Sequence, residues 1–156
     1  MTRSKTTSPP APLEAHLGFW LRFVSNHVST RFQQLLEAQG VTVSEWVALR
    51  TLWSQDEATH ADLIEALGMT KGAASKVVSR LEEKGLAQRQ LAEGRAREQV
   101  LVLTGAGNLL VPKLAALADA NDAHFFGHLP PGERQGLVAA MQSLVQYHQL
   151  KDFPTE

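Results

Sequence analysis

Apolar residues recur at positions 13, 17, 20, 24, 28, 32 and 35 and the run stops at Gly40. A spacing of three to four residues is one face of an α-helix, and glycine enters the left-handed conformation of a helix end more freely than any other residue. The pattern predicts a first helix from Leu13, approaching about 40 Å in length. Phe19 and Phe23 lie off the stripe, so this helix carries a second apolar side that its own core does not use.

Thr42 and Glu45 stand three apart before the next apolar run, the spacing of a capping box, which predicts a second helix over 43–54. Thr59 and Asp62 repeat the signal with a shorter acid, and HADLIEAL then ends at Gly68. From Thr70 a third segment places Ala74, Val77, Val78 and Leu81 on one face and stops at Gly85. Two short helices joined by so tight a turn make a helix-turn-helix. Two extended runs follow, at 86–91 and 99–103, with Gly94 near the tip of the hairpin between them. Thr104 opens a long helix to Gly127 with Pro112 inside it as a kink, and a last helix from near Pro131 to Leu150 carries Leu137, Met141, Leu144, Val145 and Tyr147. The fold class is mainly α, a winged helix-turn-helix over 40–103 flanked by helical arms at 13–39 and 104–150. Residues 1–12, with Pro9, Pro10 and Pro12 among Ser and Thr, read as a disordered tail.

Charge sharpens this picture because the net value of −1 is unevenly spread. Residues 1–68 sum to −2, residues 69–97 to +4 and residues 98–156 to −3. The basic segment coincides with the third helix and the hairpin. With its apolar face inward, that helix turns out Lys71, Ser75 and Ser79 beside Gly72, Lys76 and Arg80, with no acid in either row and Thr70 at its cap. Donors and small residues on an outer helix face suit the major groove of DNA; the alternative is an ordinary solvated face.

The 156 residues, 44% hydrophobic and 20% charged, describe one globular domain. No cysteine occurs, which excludes disulfides, thiolate metal sites and thiol redox switches. No membrane-length apolar run and no secretory leader is visible, so a cytoplasmic protein is the expectation.

Three stretches carry a family resemblance: GVTVSEWVALRTL at 40–52, LIEALGMTKGAASKVVSRLEEKGLAQR at 63–89, and VLVLTGAG at 100–107. In this order and spacing the chain resembles the MarR family of transcriptional regulators over residues 13–150. The resemblance implies a homodimer with interleaved first, fifth and sixth helices, and a winged domain in each subunit that binds a pseudo-palindromic operator in double-stranded DNA, as a repressor. It also places Arg97 of the hairpin at the position of a minor-groove arginine. The family usually has an aspartate two residues earlier, where this chain has Arg95.

Family relatives bind aromatic acids in a crevice between the arms and the winged domain, which Trp20, His27 and Trp46 can line here; plain core packing is the alternative for both tryptophans. Thiol oxidation, used by peroxide-sensing relatives, is closed to a chain without cysteine. His124 and His128, with Asp122 nearby, offer a metal-sensor reading, although Gly127 ends the helix between them; no metal site and no cofactor is assigned. No nucleophile elbow, phosphate loop or zinc-protease motif is present, so an enzyme is not expected. A winged-helix protein-interaction module is the remaining alternative, and an apolar or acidic outer face on residues 71–80 would mark it.

Overall fold

The computed structural model describes residues 8–94 and 98–151. After a turn of 3-10 helix at Leu13–Ala15, the chain forms α1 (Leu17–Glu37), α2 (Val43–Gln55), β1 (Glu57–Thr59), α3 (His60–Leu67), α4 (Lys71–Glu83), β2 (Ala87–Leu91), β3 (Gln99–Leu103), α5 (Gly105–Phe126) and α6 (Pro131–His148). Expected disorder at 1–12 falls partly on residues 1–7, which lie outside the described residues. No helix among the described residues is long and apolar enough to cross a membrane.

Two expectations change. The first helix does not run unbroken from Leu13, because His16 is extended (φ −97°, ψ 128°) and α1 starts only after it. The Trp20 indole donates to the Glu14 carbonyl at 2.9 Å, which ties the 3-10 turn to the first turn of α1 across the break. The chain also contains a strand that the pattern did not predict: Glu57–Thr59 is too short to show alternation, and pairing with β3 creates it. The sheet order is β1-β3-β2, antiparallel throughout, with Ala58 opposite Leu101 and Ala87 opposite Leu103.

Each start and stop has a local cause. The Thr42 and Thr59 hydroxyls accept the amides of Glu45 and Asp62, and those carboxylates accept the cap amides in return. Hydrogen bonds from Thr59 hold the Asp62 carboxyl below its ordinary 3.8. Its stabilisation is therefore complete above that value and fades as acid protonates the folded-state carboxylate. Gly68, at φ 60° and ψ 30°, makes the turn between α3 and α4, a conformation costly for any residue with a Cβ.

The core joins Leu36 of α1, Leu49 and Leu52 of α2, Leu63 of α3, Val78 and Leu81 of α4, and Val111 and Leu114 of α5. The four inward positions of α4 inferred from periodicity are all buried. A polar lock joins the arms: buried Asn121 accepts from Arg31 Nη1 at 2.9 Å and donates to the Val28 carbonyl at 3.1 Å. The side chains of α6 are exposed along its whole length in the single chain.

Where α5 begins, the backbones approach closely. Thr104 donates its amide to the Leu86 carbonyl and its hydroxyl to the Gly85 carbonyl. A Cβ on Gly107 would lie 2.1 Å from the Leu86 oxygen. Gly107→Ala therefore has to push α5 off the α4–β2 turn, and we expect a loss of about 2–4 kcal/mol by urea denaturation. Gly105, with open space around it, provides the comparison: Gly105→Ala should leave the midpoint unchanged or raise it slightly.

Candidate nucleic-acid interface

The α3–α4 pair and the strands β2 and β3 meet on one side of the core. Thr70 caps α4 by accepting from the Ala73 amide at 3.3 Å. Lys71, Gly72, Lys76, Ser79 and Arg80 are all exposed, so the two outward rows form one basic face broken by small residues.

Ser75 departs from that pattern. It is half-buried, and its Oγ lies 3.1 Å from Nε2 of His60, the first residue of α3. His60 was not among the residues that the sequence singled out for this surface; its position directly after a cap was the available signal. A cavity of about 260 Å³ opens beside the pair, lined in addition by Lys71, Arg89, Gln99 and two apolar residues of β3.

Two basic residues of the segment are engaged within the fold. Arg89 of β2 pairs with Glu82 at 2.9 Å. Lys84, the C-cap of α4, donates at 2.7 Å both to the Gly40 carbonyl and to Oε2 of Glu45. Glu45 is fully buried, whereas Lys84 remains 38% exposed. Arg95 and Arg97, the expected wing contacts, lie outside the described residues.

The proposed ligand-lining residues are not gathered by contact. Trp20 is exposed, and His27 packs on Phe23 with ring centroids 4.9 Å apart, both on α1. Trp46 of α2 is half-buried, edge-on to Phe32 at 6.1 Å with the Arg50 guanidinium 5.9 Å from its ring. Among the described residues no ring contact links Trp46 to the other two. His128 stands beyond the end of α5, Asp122 pairs with Arg134, and no group of three or more potential metal ligands forms among the described residues.

The model of the MarR family matches residues 39–98, from the end of the first arm to the wing. An organic hydroperoxide resistance transcriptional regulator of Bacillus subtilis is 30% identical over 101 residues, 65% of this chain and 69% of that protein. The chain belongs to the MarR family. An HTH-type transcriptional repressor of Mycobacterium bovis is 25% identical over 131 residues, 84% of this chain and 94% of its own length. In fold, the chain is similar to BpsR of Bordetella bronchiseptica, described with regulation of its DNA binding by 6-hydroxynicotinic acid. That likeness has a TM-score of 0.72 at 24% identity, over 87% of this chain and 97% of the other. This MarR-family protein is a transcriptional regulator, as its named relatives are.

The Lys84 pair yields a test within this family frame. Removing the ammonium strands a buried carboxylate that then keeps only the Thr42 amide as partner. Lys84→Ala should cost about 2–3 kcal/mol in urea denaturation, whereas Lys76→Ala on the exposed row should change stability by less than about 0.5 kcal/mol.

Proposed function

We propose that this MarR-family regulator is a homodimeric, sequence-specific repressor acting on cytoplasmic DNA. In this reading each subunit lays α4 in a major groove, and the bound dimer blocks transcription from the operator it covers. The observation that carries the proposal is the exposed face of Lys71, Gly72, Lys76, Ser79 and Arg80, free of acids, on a capped helix whose opposite face is buried. That face is neither apolar nor acidic, which favours nucleic acid over a protein partner. Arg95 and Arg97, which fall between the two wing strands in the sequence, would add contacts in this reading, with Arg97 in the minor groove.

Assembly follows from unspent apolar surface. On α6, Leu137, Met141, Leu144 and Val145 form a helical stripe exposed in the single chain, and Leu17, Leu21, Phe23 and Val24 do the same on α1. A second copy is the natural cover, because such surface is disfavoured in water and a two-fold interface is self-complementary. Residues 13–39 and 104–150 then form the dimer arms and 40–103 the reading unit. The input we favour is a small aromatic acid held near Trp20, His27 and Trp46, whose indole faces supply area and whose imidazole can pair with a carboxylate. The likeness to BpsR supports that class of ligand.

In a gel shift with DNA flanking its own gene, the protein should bind a pseudo-palindrome with half-sites about 10 base pairs apart. Lys76→Ala or Arg80→Ala should lose about 1–3 kcal/mol of specific binding if either reads a base. Unchanged affinity in both variants would refute the reading.

Light scattering should give twice the 17.1 kDa chain mass. Deleting residues 125–156 should leave an insoluble or monomeric product; a soluble monomer that still binds DNA would contradict the interleaved dimer.

A further inference from the structure

The cleft between α3, α4 and the wing strands contains a titratable side chain that the proposed reading leaves without a role. Ser75 occupies the outward row of α4, yet it is tied to His60 at 3.1 Å beside the cavity that Lys71, Arg89 and Gln99 also line. Arg89 is committed to Glu82, and Asp62, the acid on the first turn of α3, to Thr59. None of the described residues lining the cleft is acidic. Among the side chains of this set, imidazole is the one that can be either neutral or charged while keeping a nitrogen on the serine hydroxyl.

We propose that His60 is a positioning residue for DNA: acting through Ser75, it sets whether the cleft beside α4 offers a hydrogen-bond donor to a backbone phosphate of the bound duplex. The proposal rests on α4 being the DNA-reading helix. A serine hydroxyl has a single hydrogen and two lone pairs. When neutral imidazole, protonated at Nδ1, accepts at Nε2, that hydrogen is spent on His60 and the cleft presents oxygen lone pairs, which repel phosphate. When the imidazole is charged, Nε2–H donates to Ser75 Oγ and the hydroxyl hydrogen turns outward, where a phosphate oxygen can accept it. Proton uptake by His60 and DNA binding then favour each other, so affinity must rise as pH falls. The partner is the sequence-independent sugar-phosphate backbone, so the effect must also appear on non-operator duplexes.

The test measures Kd by fluorescence anisotropy at constant ionic strength from pH 8 to pH 6. It uses the full chain with a labelled duplex from the DNA flanking its gene and a scrambled duplex of equal length. Wild-type protein should tighten by about three- to tenfold on both duplexes as pH falls. His60→Gln, which keeps a group able to bond Ser75 but cannot take up charge, should stay within about twofold across the range and match wild type within about threefold at pH 8. Ser75→Ala should flatten the profile in the same way. Parallel pH profiles in wild type and His60→Gln would overturn the inference, and so would a slope that survives Ser75→Ala, because charge would then act without the hydroxyl. Lys76→Ala and Arg80→Ala separate the two levels of argument. If they weaken binding while His60→Gln tracks wild type at every pH, the role of His60 falls and the DNA reading stands; if neither they nor pH alter binding, both fall.

Discussion

A buried carboxylate ties the end of α4 to α2 and to the corner at Gly40 where the first arm ends. Glu45 sits in the core, and Oε2 accepts both the Thr42 amide, which starts α2, and the Lys84 ammonium, which closes α4. Lys84 also donates to the Gly40 carbonyl in the turn between α1 and α2. One charged cluster therefore joins the end of the basic helix, the first residues of α2 and the corner where the arm leaves. A charge so deeply placed is costly to leave unpaired, so α4 cannot drift from α2 without exposing or orphaning it. Hydrophobic contacts bury the inner face of α4, but they are not directional; the cluster fixes where the helix ends relative to α2.

The second attachment is steric. Gly107 lets the first turn of α5 lie against the Leu86 carbonyl, and Thr104 binds the backbone on either side of that contact. The carboxyl end of α4 is thus held from two directions, by α2 through a salt bridge and by α5 through a backbone approach. Its amino end carries Thr70, Lys71 and Gly72, all exposed. That polarity suits a helix that must present side chains without moving as it does so.

The sequence makes the helices legible because their signals are local. Both predicted capping boxes form, Gly40, Gly68 and Gly85 adopt positive φ, and every inward residue of α4 inferred from periodicity is buried. What it conceals depends on distant partners. β1 exists because β3 lies beside it, and the break at His16 accompanies an indole that reaches back to Glu14. The basic segment is harder still to read: charge counting treats seven cations alike, while the fold pairs Lys84 with Glu45 and Arg89 with Glu82 and leaves Lys71, Lys76 and Arg80 outward. Ser75 and His60, fifteen residues apart, meet only because the α3–α4 turn brings them together.

These attachments constrain how a signal could reach DNA under the proposed dimer. The Asn121 lock joins α1 to α5, the Arg134–Asp122 pair joins α6 to α5, and the Glu45 cluster joins the α1–α2 corner to α4. With Thr104 bound to the Leu86 and Gly85 carbonyls, each winged unit is fixed to its own arm, and the degree of freedom left to the dimer is the angle between two such bodies across the α1 and α6 surfaces. Two recognition helices reach adjacent grooves only at one separation, roughly the rise of a helical turn of DNA. A ligand wedged near α1 and α2 need not touch α4 to weaken binding. It needs only to favour an arm angle that spoils this separation, and a preference of about 1–3 kcal/mol between the two angles would change operator affinity by about 5- to 150-fold. A rigid attachment of α4 is therefore what would make a small movement in the arms legible at the DNA.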